Sequence, residues 1–465
     1  MFEAVLFVML YIIWLAVAVK FTKISVLLMP VFFPLYLFKI NVLGVPLYFI
    51  EGLIIVSAIP VFINILLGRD EQLLKQKFPQ KVLHIIKNFF RPKHKPIREF
   101  LKSPYLPAAL FLIACLVSAA IVPSESSKQA LGILKSWVII PLVYFVLLIN
   151  YIKSVKDLNT ALYSYLASSA FLCLWGFYQA LSGQYITIDQ RVSGPFESAN
   201  YLAMYITPAF VYSVVLFLRA FIHNKFENAD TKWNKFENGI YIGIAVVLFL
   251  TVLVLTQSYG GIAGSFAAIF IYIIYERFKV TEKQSKKFLN RFIVFILMIF
   301  ILGGGLTALL NHEKFENLTK FDERTSISTR LEIWKVGLGL IKENPVLGIG
   351  LGQYEKRYAE DAQRLLGKKP FEEVRLHSHN LYMEFWLQSG LLGLISFIWL
   401  VILAFKQVYK NLHPEDKKAM IALLLMLTYI LIHGLIDVPF WKNDLALILW
   451  TIFAGIFAIG KVKAD

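Results

Sequence analysis

Three segments of this chain carry residue types that could do chemistry: Arg191-Val192-Ser193-Gly194-Pro195 followed by Asn200, Ser328-Thr329-Arg330-Leu331-Glu332-Ile333-Trp334, and His377-Ser378-His379-Asn380. A guanidinium is planar, stays charged and offers paired donors, so Arg191 and Arg330 suit a phosphate or diphosphate. A histidine titrates near neutrality, which suits His379 to general base work. Each has a plainer alternative. An arginine near the hydrocarbon boundary can snorkel to lipid headgroups, and a histidine at the mouth of a helix can serve as a cap. Gly194-Pro195 with Asn200 makes a defined turn before a helix, which favours a built site at Arg191. His377 and His379 alone do not make a zinc site, because a third ligand is needed. The polar segments around them hold no Cys cluster, His-Glu-x-x-His or Asp-x-Asp, so no metal and no cofactor is expected.

These residues sit in a chain that is otherwise strongly apolar. Of its 465 residues, 58% are hydrophobic and only 17% are charged, with a mean hydropathy of +0.63. A soluble protein of this length could not bury so much apolar surface. Runs of roughly 18 to 25 apolar residues recur along the length, about what spans a bilayer. The expected fold class is therefore all-α: a polytopic membrane protein with about 12–14 transmembrane helices and a large extracytoplasmic loop bearing short interfacial helices. Outer-membrane barrel strands alternate and are far shorter, so that class is excluded. The formal net charge of +16 falls in short loops between spans, as for a membrane protein with basic cytoplasmic loops, and nucleic acid is not an expected partner. Cys115 and Cys173 lie inside apolar segments and imply neither a disulfide framework nor a metal site. The first apolar segment runs into Lys20 and Lys23 with further spans beyond, so it is expected to be retained rather than cleaved.

Apolar segments fall at 3–19, 24–39, 46–67, 105–122, 132–152, 160–181, 199–221, 239–257, 260–276, 291–310, 381–405, 419–435 and 444–461, the second interrupted by Pro30 and Pro34. The simplest division is one membrane domain, 1–465, with an inserted loop at 311–380 that carries the chemistry and a basic cytoplasmic loop at 69–104. Asn224–Asn228 is echoed at Asn234–Asn238, a short repeat within one loop. Lysine and arginine bias puts 69–104 in the cytoplasm. Alternation then places 182–198, the Gln257–Gly261 hairpin, 311–380 and Asp437–Asn443 together on the opposite face. In the large loop, the apolar stripe Leu331, Trp334, Leu338, Ile341 predicts a helix over 327–341 lying along the membrane surface, with Ser328 or Thr329 as cap and Asn344-Pro345 as its end. A second short helix is expected at 355–366. Gly390-Leu391-Leu392-Gly393 reads as close helix packing. A Walker loop and a dinucleotide fingerprint are both missing from the sequence, and no soluble domain is large enough for a nucleotide sugar, so any donor should arrive through the membrane.

Taken together, the Arg191 turn with Asn200, the Arg330 and Trp334 helix, Asn344-Pro345-Val346-Leu347-Gly348-Ile349-Gly350, His379-Asn380-Leu381-Tyr382 and Gly390–Gly393 resemble the O-antigen ligase/polymerase family, most strongly over 185–400. The resemblance implies a metal-independent inverting glycosyltransferase in the cytoplasmic (inner) membrane with its active face extracytoplasmic. It implies as partners a glycan donor on polyprenyl (undecaprenyl) diphosphate, a glycan or lipid-glycan acceptor such as lipopolysaccharide core, and membrane lipids. Arg191 and Arg330 would bind the donor diphosphate and His379 would be the catalytic base. Asn380, Asn200, Gly194, Trp334 and Arg375 are the expected supporting residues. Many family members have Ser-Arg-Gly in the outer hairpin, where this chain reads Ser258-Tyr259-Gly260. Two alternatives stay open: a polysaccharide polymerase of the same family, and a transporter or flippase of the lipid-linked glycan.

Overall fold

The computed structural model describes residues 2–42, 45–66, 103–187, 189–222, 229–279, 286–287, 289–291, 294, 325–410 and 413–460. Nearly all of the basic loop expected at 69–104, most of the span expected at 291–310, the first part of the large loop to 324, and Asn224–Asn228 lie outside the described residues.

The chain opens with α1 (Phe2–Lys20) and α2 (Thr22–Leu28), which passes into a 3-10 stretch, Met29–Leu37. Pro30 and Pro34 remove backbone donors there and prevent a regular α-helix. A two-stranded antiparallel hairpin, β1 (Lys39–Val42) and β2 (Val45–Tyr48), follows, a small exception to the all-α expectation. Then come α3 (Phe49–Leu66) and α4 (Tyr105–Ala120). Next are α5 (Ser127–Ile133), joined by a π-turn to α6 (Ile140–Tyr151), then α7 (Val155–Ser182), α8 (Ala199–Ile222), α9 (Ala229–Leu255) and α10 (Tyr259–Lys279). The last five are α11 (Ser326–Glu343), α12 (Tyr354–Leu366), α13 (Leu381–Lys406), α14 (Pro414–His433) and α15 (Asn443–Ile459). Among the described residues, five continuous helical stretches are long and apolar enough to cross a bilayer, and six shorter apolar helices of 10–17 residues accompany them.

The helix with the least external surface is α15, every residue of which is buried. A helix that is apolar all round belongs inside a bundle, and α15 lies against α6 and α14 while α8 packs on α9 and α14 and α13 runs along α4. Its N-terminal turn, and the turn that leads into it, are therefore held by the bundle rather than left to sway.

The described part of the large loop, from residue 325, forms two helices, as its patterning predicts. The cap of α11 differs from expectation: Thr325, not Ser328 or Thr329, is the N-cap, and Ser328 returns a bond to the Thr325 backbone to complete a capping box. The helix ends at Asn344. Its expected stripe is divided between two faces. Ile341 is buried in one small core with Ile333, Val336 and Leu340 and with Tyr354, Tyr358 and Ala362 of α12, and Trp334 packs against that core, whereas Leu331 and Leu338 stay exposed with Ile327 on the other side. That second face is the one suited to a lipid surface.

The glycine-rich segment after α11 has a specific job. Ile349 N donates to Leu387 O at 2.9 Å and Leu391 N donates to Val346 O at 2.9 Å, so the loop backbone docks onto α13 where that helix opens. Gly390 at the opening has φ 68° and ψ −177°. A Cβ there would meet Val346 O at 2.5 Å, and one at Gly348 (φ 69°) would clash with Leu387 O. Gly390 therefore marks a break that receives another backbone, not the helix–helix contact its spacing suggested. Gly348→Ala and Gly390→Ala should each destabilise the protein by about 1–3 kcal/mol from backbone strain alone, before the clash is counted. Thermal aggregation of the detergent-solubilised variants measures it, and a midpoint equal to wild type for both would remove the docking argument.

Candidate active site

The polar features assigned by alternation to one face do meet at one end of the bundle, and they meet around Asp437. This carboxylate lies in the turn between α14 and α15 and is only 2% exposed. Its Oδ2 accepts from Asn200 Nδ2 at 3.2 Å and its Oδ1 accepts from Val438 N at 2.9 Å. Nδ1 of His379 approaches Oδ1 at 3.4 Å. Burial by itself favours the neutral acid, but His379 against Oδ1 outweighs burial and holds the carboxyl well below the usual range.

His379 is placed by backbone as much as by side chain. Its φ is +49°, a left-handed conformation that a residue with a Cβ adopts at a cost of about 1–3 kcal/mol. Surrounding bonds hold it there. Trp334 Nε1 donates to His379 O at 3.3 Å, Asn380 Nδ2 donates to Leu435 O at 3.0 Å, and Leu381 N donates to Gly434 O at 2.7 Å. Asn380 also caps α13, accepting from Met383 N at 2.9 Å. Behind the turn, Glu384 Oε2 accepts from Ser378 N at 2.7 Å, and its Oε1 accepts from Gln388 Nε2 at 2.8 Å. Gln388 in turn accepts from Gly352 N at 2.6 Å, which links the glycine loop to the histidine turn. The ring of His377 stands edge-on to that of His379, centroids 4.2 Å apart. Burial, then the neighbouring His379, pushes His377 down to about 3, so its ring is neutral.

Arg330 donates from Nε to Ile436 O at 3.2 Å, one residue before Asp437. Burial lowers its pKa; Asp437 opposes that, while Arg375 and Arg191 add to it as neighbouring like charges. Arg191 pairs through Nε with Asp189, and its Nη1 points to Asn200 Oδ1 at 3.5 Å and Thr256 O at 3.4 Å. The hairpin that contains Tyr259 thus meets the site through its Thr256 carbonyl. Arg375 pairs with Glu372 at 2.8 Å, and its Nε is buried without a hydrogen-bond partner.

A cavity of about 340 Å³ opens between these groups, within the ordinary size of a small-molecule site. Arg330, Arg375 and His379 line it together with Asn200, Thr325, Thr329, Ile333 and Glu372. Of the residues expected from sequence, His379, Arg330, Asn200 and Arg375 therefore face one space. Arg191 stands behind Asn200 and does not line the cavity. Trp334 and Asn380 hold the histidine turn. Gly194 (φ 58°) is buried away from the cavity, its N–H donating to Gln179 Oε1 at 3.0 Å, and it shapes the loop that delivers Arg191.

Asp437 and Lys442, left unassigned by sequence, do different things. Lys442 does not pair with Asp437: its ammonium sits 3.5 Å from the Tyr201 ring centroid and 5.0 Å from that of Phe196. Asp437 joins the histidines. A nitrogen of His377, a nitrogen of His379 and an oxygen of Asp437 all lie within 4.8 Å of one another. A third group of a metal-ligating type, which sequence reading did not find, thus lies beside the two histidines. Glu384 was missed too, although a carboxylate on an otherwise apolar helix is itself a signal.

A helical membrane protein with a cationic, histidine-bearing cavity at one end of its bundle is the class these features define. Residues 244–398 match the family model described as O-antigen ligase. An uncharacterised protein of Haemophilus influenzae is 24% identical over 237 residues, 48% of this chain and 54% of that protein. A Rickettsia conorii protein, provisionally named a polysaccharide ligase, is 31% identical over 139 residues, 30% of this chain and 32% of its own. The exopolysaccharide production protein ExoQ of Rhizobium meliloti is 23% identical over 280 residues, 56% of this chain and 57% of its own. The resemblance to the O-antigen ligase/polymerase family carried by the chain's motifs is borne out by the family match over residues 244–398 and by these relatives. The chain spans about half the length of the Haemophilus and Rhizobium relatives. The family match contains Arg330, Arg375, His377 and His379 and leaves Arg191, Asn200 and Asp437 outside it.

The brace behind the histidine turn can be tested alone. Glu384→Ala leaves Ser378 N and Gln388 Nε2 without their acceptor, which should cost about 1–3 kcal/mol of stability for each buried group left unsatisfied. Glu384→Gln keeps one carbonyl oxygen and should lose less. Thermal unfolding in detergent gives the order, and an alanine variant as stable as wild type would refute the brace.

Proposed function

We propose that the protein is an inverting membrane glycosyltransferase that moves a glycan from a polyprenyl diphosphate carrier to an acceptor hydroxyl on the extracytoplasmic face of the inner membrane. The observation that carries this reading is that Arg330, Arg375 and His379 line one cavity, with Arg191 joined to it through Asn200. The relatives named for polysaccharide ligation and exopolysaccharide production agree with it.

In the proposed step, the acceptor oxygen attacks the anomeric carbon as its proton passes to His379. The carbon–oxygen bond to the diphosphate breaks on the opposite side, so the anomeric centre inverts and polyprenyl diphosphate leaves as the anion. With Nδ1 turned to Asp437, Nε2 is the atom left to take the proton. The carboxylate then stabilises the imidazolium that forms, as a buried acid does beside a histidine base. The guanidinium groups of Arg330 and Arg191 meet the charge that builds on the leaving diphosphate, a role a divalent metal plays in other enzymes. Preorganisation matters here because the donors must point at charge that exists only in the transition state.

His379→Ala should lower transfer about 100- to 10,000-fold. Arg330→Lys should lower it roughly 10- to 150-fold, since an ammonium cannot grip two oxygens with one fork. Both are read with purified protein, a lipid-linked glycan donor and a sugar acceptor in detergent. Donor left intact by the wild type would mean that the protein transports the glycan rather than transferring it. Elongation of the lipid-linked glycan without added acceptor would make the protein a polymerase. The proposed orientation has its own test. Val374 is 53% exposed and both native cysteines are buried, so Val374→Cys should react with a membrane-impermeant maleimide added outside intact spheroplasts. Labelling only after lysis would reverse the topology.

A further inference from the structure

We propose that His377, His379 and Asp437 form an exchangeable binding site for a divalent transition-metal ion of the zinc class, and that the bound ion inhibits transfer. The inhibitory part rests on the reading of His379 as base; the binding part does not. One ligand atom from each of the three side chains lies within 4.8 Å of the other two. The 3.4 Å between His379 Nδ1 and Asp437 Oδ1 matches the edge of a tetrahedron built on bonds of about 2.0–2.1 Å, which is roughly 3.3 Å. Two imidazoles and one carboxylate are the donor set zinc and its neighbours take, and not one that magnesium or calcium prefers.

Two further observations point to a ligand. His379 Nδ1 is buried and makes no hydrogen bond, so a polar atom is held out of water without a good partner. Outer support is already in place as well: Asn200 Nδ2 holds the other carboxylate oxygen of Asp437, and Trp334 and Asn380 fix the histidine turn. Ligating groups are ordinarily braced in this way. The remaining coordination position would open to the cavity, which His379 lines. Arg330 and Arg375 line the same cavity, and their charge opposes a dication. The ion is therefore a reversible regulator and not a resident cofactor. When bound, it occupies the imidazole and carboxylate groups that proton acceptance needs, and transfer stops.

Cobalt reports on such a site directly, through visible absorption bands that intensify in tetrahedral coordination. Full-length protein purified with a tag lacking histidine should bind one Co2+ per chain, and Zn2+ should displace it. His377→Ala and His377→Gln should each weaken binding at least tenfold with thermal unfolding unchanged. His377 is not assigned a role in the transfer step, although its Nδ1 accepts from His379 N at 3.4 Å, so whatever transfer each variant keeps should resist zinc, while chelator restores the zinc-treated wild type. Absence of a stoichiometric cobalt spectrum, or equal cobalt affinity in both His377 variants, overturns the site. Stoichiometric binding with undiminished transfer at saturating zinc overturns the inhibitory part and counts against His379 as the base. Loss of transfer in the His379 variant while cobalt fails to bind leaves the proposed reaction standing and removes only the metal.

Discussion

A buried carboxylate has to be compensated, and the way Asp437 is compensated organises this end of the molecule. Its partners come from separate parts of the chain: Asn200 at the start of α8, Val438 beside it, and His379 just before α13. An uncompensated charge at 2% exposure would be expensive enough to neutralise itself or unfold the turn. The same turn supplies carbonyl oxygens to Arg330 and Asn380. One short connection between two helices therefore contacts Arg330 and His379 directly and reaches Arg191 through Asn200.

Rigidity behind this turn comes from the bundle. α15 follows it directly and is buried along its whole length, so the turn cannot move without disturbing the core. On the other side, the glycine-rich loop docks its backbone into the break at Gly390, and Gln388 and Glu384 carry that contact up to Ser378. The strained backbone of His379 persists because these contacts over-determine it. The histidine proposed as the base is thus held on a loop but with the precision of the helices around it.

Electrostatics set the chemistry that the cavity can support. Arg330, Arg375 and Arg191 are close enough for the other two to disfavour the charge of Arg330, and an anion bound beside them would relieve that repulsion. Glu372 and Asp189 partly answer Arg375 and Arg191 in the meantime. An anionic diphosphate would replace these contacts with charge-assisted bonds to the same guanidinium groups. The neutral ring of His377 adds no further charge of its own.

Much of this protein was legible in residue order alone. Long apolar runs determined a helical membrane protein, because backbone polar groups in a bilayer must be satisfied within each segment. The positions of Arg191, Arg330 and His379 stood out because polar residues that interrupt such runs need a reason. Local patterning also predicted both helices of the large loop, missing the cap by only a few residues. Residue order could not show that Asp437 faces His379 from 58 positions further along the chain, that Glu384 turns back to Ser378, or that Gly390 opens a helix to admit a second backbone. Each of those depends on a distance between segments remote in sequence. Periodicity tells which side of a helix is apolar, but only packing decides what that side meets.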